Sequence, residues 1–381
     1  MLRRLWPLSL GAFALGLDAY VLAGLLPEMA KELHTSQARV GLGVAIFTAA
    51  YAVSAPLLAS FASRYSTRFA LLSGLLLFSI GNVVTMLAPS LSVLLIARLI
   101  AGVGAGLYSP VASSSAAGMV DESQKGRALS LVLAGLSMGT ALGVPIGLLI
   151  EHGFGWRWTI GLITSLGIIA TISIICRRSD EFPFLPTIPW RERFASLRTR
   201  FPLLTLVVTL WTGVASLGLY TYIAEVCFER GFSPYVDGLI WLWGLGGMVG
   251  ALLIGRILDK YLSPPRATLA LLVSLGIGFL LFGYAPLPAA MVGCFIWGLS
   301  GWASVAPQQH ALVTHSPEHS TSLIAWNSSI NYLGSAIGVA IGSAALTTQL
   351  SAYWLPMGAL LVVVIAAISH VVKMLTPPVY I

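Results

Sequence analysis

The sequence predicts an all-α integral membrane protein, with twelve transmembrane helices in two pseudo-symmetric six-helix bundles. Three observations carry this prediction. Hydrophobic residues make up 57% of the 381-residue chain and charged residues 9%, whereas soluble domains carry about 25% charged residues. Hydropathy divides the chain into twelve apolar runs, and twelve spans of about 20–25 residues use roughly 240–300 residues, so only short loops remain. The two halves also match at an offset of about 196 residues. Parallel six-span halves are a transporter architecture that works by rocking one half against the other.

The first six runs lie near 6–28, 38–62, 69–89, 91–118, 126–150 and 157–176, and form an N-terminal bundle over residues 1–176. A polar stretch, RRSDEFPFLPTIPWRERFASLRTR at 177–200, reads as a cytoplasmic central loop. Six more runs near 202–226, 235–258, 267–284, 287–311, 320–346 and 352–374 form a C-terminal bundle over 201–381. The opening MLRRLW followed by an apolar run has the outline of a secretory signal. That run is too long, contains Asp18 and shows no small-residue cleavage site, so it is expected to be span one.

Lysine and arginine set the orientation. With a cytoplasmic N-terminus, sixteen of the 21 basic residues fall on the cytoplasmic side, in the even-numbered connections and at the chain ends. Only Lys31, Arg39, Arg157 and Arg230 face outward, and Arg98 lies inside span four. Both termini are therefore expected in the cytoplasm, in a bacterial inner membrane. The net charge of +7 is a topology signal, and no nucleic-acid partner is expected. Cys176, Cys227 and Cys294 show neither a disulfide framework nor metal-ligand spacing, and are read as small hydrophobes. There is no Walker-type GxxxxGKS/T, and no HExxH or GxSxG setting. The expectation is a protein that is not an enzyme, with no metal and no cofactor beyond a proton gradient.

The repeat is visible in detail. ASFASR at 59–64 matches GRILDK at 255–260, with Arg64 opposite Lys260. Gly139, Gly143 and Gly147 match Gly334, Gly338 and Gly342, and Ser36 matches Ser233. Several segments add a likeness to a known family. They are LGLDAYVLAGLLPEMAKEL at 15–33, LIARLIAGVGAG at 95–106, GLSMGTALGVPIG at 135–147, GWRW at 155–158 and NSSINYLGSAIG at 327–338. With these segments the chain resembles the major facilitator superfamily, in its twelve-span drug:proton antiporter group. It is most similar to the sugar, arabinose and purine-nucleoside efflux branch. The resemblance implies that span five, with Gly135, Gly139, Gly143, Pro145 and Gly147, packs against the opposite half and seals the path. It also implies a cytoplasmic latch at Arg64, Asp259 and Lys260. Where the family's loop carries a Gly and an Asp, this chain has Ala59 and Ser63, which weakens the latch on the N-terminal side.

Ionisable residues inside a membrane are costly and are functional candidates by default. Asp18 lies roughly 18 Å into span one and Arg98 roughly 10 Å into span four from the opposite edge, at 1.5 Å per residue. In a core about 30 Å thick these depths allow an ion pair. Burial favours a neutral carboxyl and a nearby cation favours a carboxylate, so the pair is the candidate for proton coupling. Candidates to line a substrate site are Tyr51, Trp211, Tyr220, Tyr222, Trp297, Gln308, Gln309, Trp326, Asn327 and Asn331. Glu225 is a weaker proton candidate at a solvated rim. The function expected is proton-coupled efflux of a small organic molecule (drug, sugar, nucleoside or metabolite) by a monomer whose partners are substrate, protons and lipid. An uptake carrier or uniporter for a metabolite or siderophore, and a non-transporting receptor or assembly factor, are the alternatives.

Overall fold

The computed structural model describes residues 2–62, 66–121, 124–178, 182, 194, 196–197, 199–316 and 319–375, and shows helices joined by short connections, with no strand among the described residues. Among the described residues, twelve helices are long and apolar enough to cross a membrane. Spans one to six are Arg4–Glu32, Gln37–Leu58, Thr67–Met86, Leu91–Gly118, Ala128–Phe154 and Trp156–Ile175. Spans seven to twelve are Arg200–Thr221, Ser233–Lys260, Pro264–Tyr284, Leu287–His315, Ser322–Thr347 and Ala352–Leu375. The chain divides into two compact units, Met1–Ile188 and Pro189–Ile381. Leu76, Ile96, Ile172, Leu252, Leu361 and Ile368 are each more than half exposed. In water such a surface would drive association, but in lipid it is the surface a span requires.

Within each unit, small residues set the helix contacts, as expected where lipid removes the hydrophobic drive between helices. In the first unit a Cβ on Gly102 would stand 2.4 Å from Phe47 O, bringing spans four and two together. In the second, a Cβ on Gly298 would stand 1.9 Å from Trp243 O, in spans ten and eight. Gly81 against Ala101 N and Gly278 against Trp297 N are likewise equivalent contacts of spans three and nine. The repeat seen in the sequence is therefore a repeat of backbone contacts.

The glycine face of span five is occupied by span one of the same unit. A Cβ on Gly135 would lie 2.3 Å from Ser9 O, and one on Gly139 2.1 Å from Phe13 O. Gly143 and Gly147 face the side chains of Leu17 and Val21. Span eleven does the same to span seven, with Gly334 on Leu210 O and Gly338 on Val214 O. Close backbone approach explains the glycines, and the partner is the neighbouring helix of the same half. Span five is also not a plain α-helix. A π-helical turn at Gly139–Gly143 separates Lys125–Met138 from Val144–Phe154. Pro145 follows at once; its ring lacks an N–H and crowds the carbonyl four residues earlier, which the wider turn accommodates. Pro307 has a similar effect in span ten, where the helix breaks between Leu287–Ala303 and Val305–His315.

Arginines close the carbonyl ends of helices, which have no partners within the helix. Arg157 donates to Met86 O at 2.5 Å and Ala88 O at 3.0 Å, capping span three, and pairs with Glu32 at 2.9 Å. In the second unit Arg230 donates to Phe282 O and to Ala285 O at 2.6 Å, capping span nine. The two arginines come from different places in the repeat, one in the first turn of span six and one after span seven, yet serve equivalent helix ends. Arg68 caps span six through Ile175 O at 2.6 Å.

Candidate functional site

Asp18 and Arg98 meet as their depths suggested. Arg98 Nη1 lies 2.7 Å from Asp18 Oδ1, with side chains 1% and 0% exposed. Five spans build the site. Span one supplies Asp18, and Gly139 and Gly143 of span five fix the turn Phe13–Leu17 that precedes it. Span four supplies Arg98, whose guanidinium stacks 4.3 Å above the Phe47 ring of span two. Gly43 of span two makes room for the arginine stem, since a Cβ there would stand 3.3 Å from Arg98 Cγ. Span three supplies Asn82, fully buried and in contact with the Asp18 carboxylate. The cluster is not saturated: Asp18 Oδ2, Arg98 Nε and Asn82 Oδ1 are buried without hydrogen-bond partners among the described residues. Buried polar atoms are nearly always paired, and these three are exceptions within one cluster.

The equivalent contacts locate the counterparts of this cluster in the second unit. Gly139 on Phe13 O corresponds to Gly334 on Leu210 O, which sets Asp18 opposite Ala215. Gly102 on Phe47 O and Gly298 on Trp243 O set Arg98 opposite Cys294. The span-three and span-nine contacts set Asn82 opposite Phe279. The same packing is thus built in the second unit from Ala215, Phe279 and Cys294, with the Cys294 thiol bonded to Leu239 O at 3.1 Å. The helix arrangement does not need an ion pair at this place.

The second unit has a neutral polar network instead. Thr209 Oγ1 stands 2.5 Å from Gln308 Oε1 and accepts from Asn327 Nδ2 at 2.7 Å, while Gln308 Nε2 donates to Ser304 O at 2.9 Å. Asn327 Oδ1 is buried and unpartnered. Gln308 and Asn327 are therefore joined to each other through Thr209, a residue the sequence reading passed over because a lone threonine in an apolar helix carries no signal. Trp297 is fully buried, donates from Nε1 to Ser216 Oγ at 3.0 Å, and lies among Tyr220, Trp243, Phe279 and Phe282. Tyr220 stacks on Trp243 at 4.0 Å. Tyr222 is buried, with its hydroxyl on Val339 O at 2.9 Å. These three aromatic candidates are held in interhelical packing.

The remaining candidates are more scattered. Tyr51 is buried in span two, and Trp211, Gln309 and Asn331 are half-buried. Trp326 is half-buried against the Leu206, Leu312 and Leu323 cluster, 5.3 Å from Phe194. Asp259 and Lys260 are exposed at the end of span eight, while Arg64 and Ser63 lie outside the described residues. Glu225 falls in the short helix Ile223–Glu229 beyond span seven, with Oε2 buried and unpartnered. Cys227 and Cys294 are buried as expected, but Cys176 is exposed at the end of span six. Lys373, one of the sixteen basic residues assigned to the cytoplasmic side, is 5% exposed and contacts Thr205 Oγ1 at 3.4 Å and the Phe201 ring at 5.2 Å.

Comparison with known proteins agrees with this architecture. The model of the Major Facilitator Superfamily matches residues 8–339. The Bacillus subtilis (strain 168) protein named "Uncharacterized MFS-type transporter YbcL" is 27% identical over 346 residues, covering 89% of this chain and 87% of its own. The "Putative transporter AraJ" of Escherichia coli (strain K12) is 28% identical, covering 90% and 88%. A "Chloramphenicol resistance protein" of Streptomyces lividans is 27% identical over 261 residues, 67% of each chain. In fold, the chain is similar to the crystal structure of a bacterial homolog of the human lysosomal transporter Spinster. The TM-score is 0.76 at 16% identity, covering 97% of this chain and 96% of that one.

Proposed function

The chain belongs to the Major Facilitator Superfamily, and from that premise we propose that it is a proton-coupled exporter of small organic molecules. It works by alternating access in a bacterial inner membrane, with both termini in the cytoplasm. The observation that carries this reading is the buried, unsaturated Asp18–Arg98 pair, present in one unit and replaced by Ala215 and Cys294 in the other. A structural ion pair would be expected wherever the packing recurs, so a pair that the packing does without has another use.

Asp18 is the proton carrier in this scheme. Ionised, it is held by Arg98; protonated, it no longer satisfies the guanidinium, and the pair loosens. Protonation then biases one conformation over another, which is what coupling to a transport cycle requires. Substrate recognition falls to neutral polar and aromatic groups, with Asn327 Oδ1 one of the buried acceptors without a donor in the second unit. That chemistry suits an uncharged or weakly polar organic molecule, and the Streptomyces relative's name supplies chloramphenicol as a first probe. The sixteen-to-four distribution of basic residues supports the orientation.

The test is reconstitution in proteoliposomes with an internal pH dye. Adding chloramphenicol, or the active member of a drug and metabolite panel, should dissipate an imposed pH gradient. Substrate flux without proton movement would overturn the coupling and favour a uniporter, and no flux across a broad panel would favour a non-transporting role.

A further inference from the structure

Asn82 stands beside the proton site and has no role in holding the helices together that an apolar residue would not fill, since its counterpart is Phe279. Its Nδ2 donates to Phe78 O at 3.1 Å, and its Oδ1 is left without a donor. The adjoining Asp18 has Oδ1 taken by Arg98, and Oδ2 is also without a donor. The Asn82 side chain is within hydrogen-bonding reach of the Asp18 carboxylate. A proton on Asp18 Oδ2 makes a hydroxyl that needs an acceptor, and the Asn82 oxygen is without a donor. When the proton has left, the amide presents its other end. An amide carries donor and acceptor on one planar group, and half a turn exchanges them. Leaving Phe78 O strands nothing, since that carbonyl lies inside the span-three helix Thr67–Met86 and has a backbone donor.

We propose that Asn82 is the positioning residue for the Asp18 proton, its oxygen accepting from protonated Asp18 and its nitrogen donating to the ionised form. The charged groups meeting this cluster are Asp18 of span one and Arg98 of span four. Span two presents the Phe47 ring, and span six presents Gly167 against Ser79 of span three. This inference rests on the reading of Asp18 as the proton carrier, and deepens it by giving the proton a second partner besides water.

Infrared difference spectroscopy of the full-length protein in lipid vesicles, titrated through pH, tests it. The carbonyl band of protonated Asp18 is identified by its loss in Asp18→Asn. In Asn82→Leu that band should move to higher frequency, since the acid group loses its acceptor. In Asn82→Thr, which retains a hydroxyl and little bulk, it should move part of the way; this variant decides the matter if the leucine variant does not fold. A titrating Asp18 band that neither variant moves would overturn the role of Asn82 and leave the proton carrier intact. The absence of any Asp18 band at all pH values in the unaltered protein would overturn both.

Discussion

Arg98 Nη1 and Asp18 Oδ1 stand 2.7 Å apart although they come from helices 80 residues apart in the chain. Neither side chain exposes more than 1% of its surface. Each residue is held by its own span's packing, Arg98 by Gly43 and the Phe47 ring and Asp18 by the span-one contacts with span five. Two charges placed in this way depend on one another for stability as well as for chemistry.

That dependence gives a first prediction. Removing one partner of a buried ion pair costs about 3–5 kcal/mol, while replacing both with apolar groups is often neutral. Arg98→Met and Asp18→Leu should each lower the thermal unfolding temperature in detergent, and the double variant should recover most of the loss while remaining inactive in transport. A double variant no more stable than the singles would show that the two charges do not act as a pair.

The span-five face gives a second. Gly139→Ala drives a Cβ to 2.1 Å from the Phe13 carbonyl, a backbone atom that moves only if span one moves. Gly143→Ala meets Leu17 Cβ and Cδ1 at 3.2 Å, which need to yield only by a few tenths of an ångström. The first should cost about 1–3 kcal/mol through overpacking and should impair transport by displacing the turn that precedes Asp18. The second should stay near wild type in both. Equal effects in unfolding and flux assays would contradict the assigned packing.

The two helix-end clamps give a third. Arg157→Leu and Arg230→Leu each abandon two carbonyls, and hydrogen bonds from charged groups contribute about 1.5–3 kcal/mol. Both variants should unfold at lower temperature with the pH dependence of transport unchanged. A changed pH profile would draw these arginines into the coupling.

Much of this was legible in the sequence. Span number, the repeat and the Asp18–Arg98 pairing followed from hydropathy, offset and depth, because a membrane leaves few places for an uncovered backbone or a lone charge. Asn82 and Thr209 were not legible. Each is a common polar residue in an apolar helix, and only its neighbours, which come from distant segments, give it meaning. The partner of the span-five glycines was also hidden. Their spacing shows that something approaches closely, but not whether it is span one or another helix. Trp297 and Tyr222 are ligand candidates in the sequence because large amphipathic side chains serve both packing and binding, and the sequence does not show their hydrogen bonds to Ser216 and Val339.

Orientation gives a fourth prediction. Cysteines introduced at His34, between spans one and two, and at His319, between spans ten and eleven, should react with an impermeant thiol reagent from outside and inside respectively. The exposed native Cys176 is first replaced by serine. Reaction of both from the same side would reject the assigned topology.

The central claim is that Asp18 carries the proton that drives export. Asp18→Asn keeps the shape of the side chain and fixes it without charge. In proteoliposomes given a pH step, the unaltered protein should concentrate substrate against its gradient. The Asn variant should bind substrate and exchange it downhill but concentrate none. Uphill accumulation by Asp18→Asn at the wild-type rate would contradict the account.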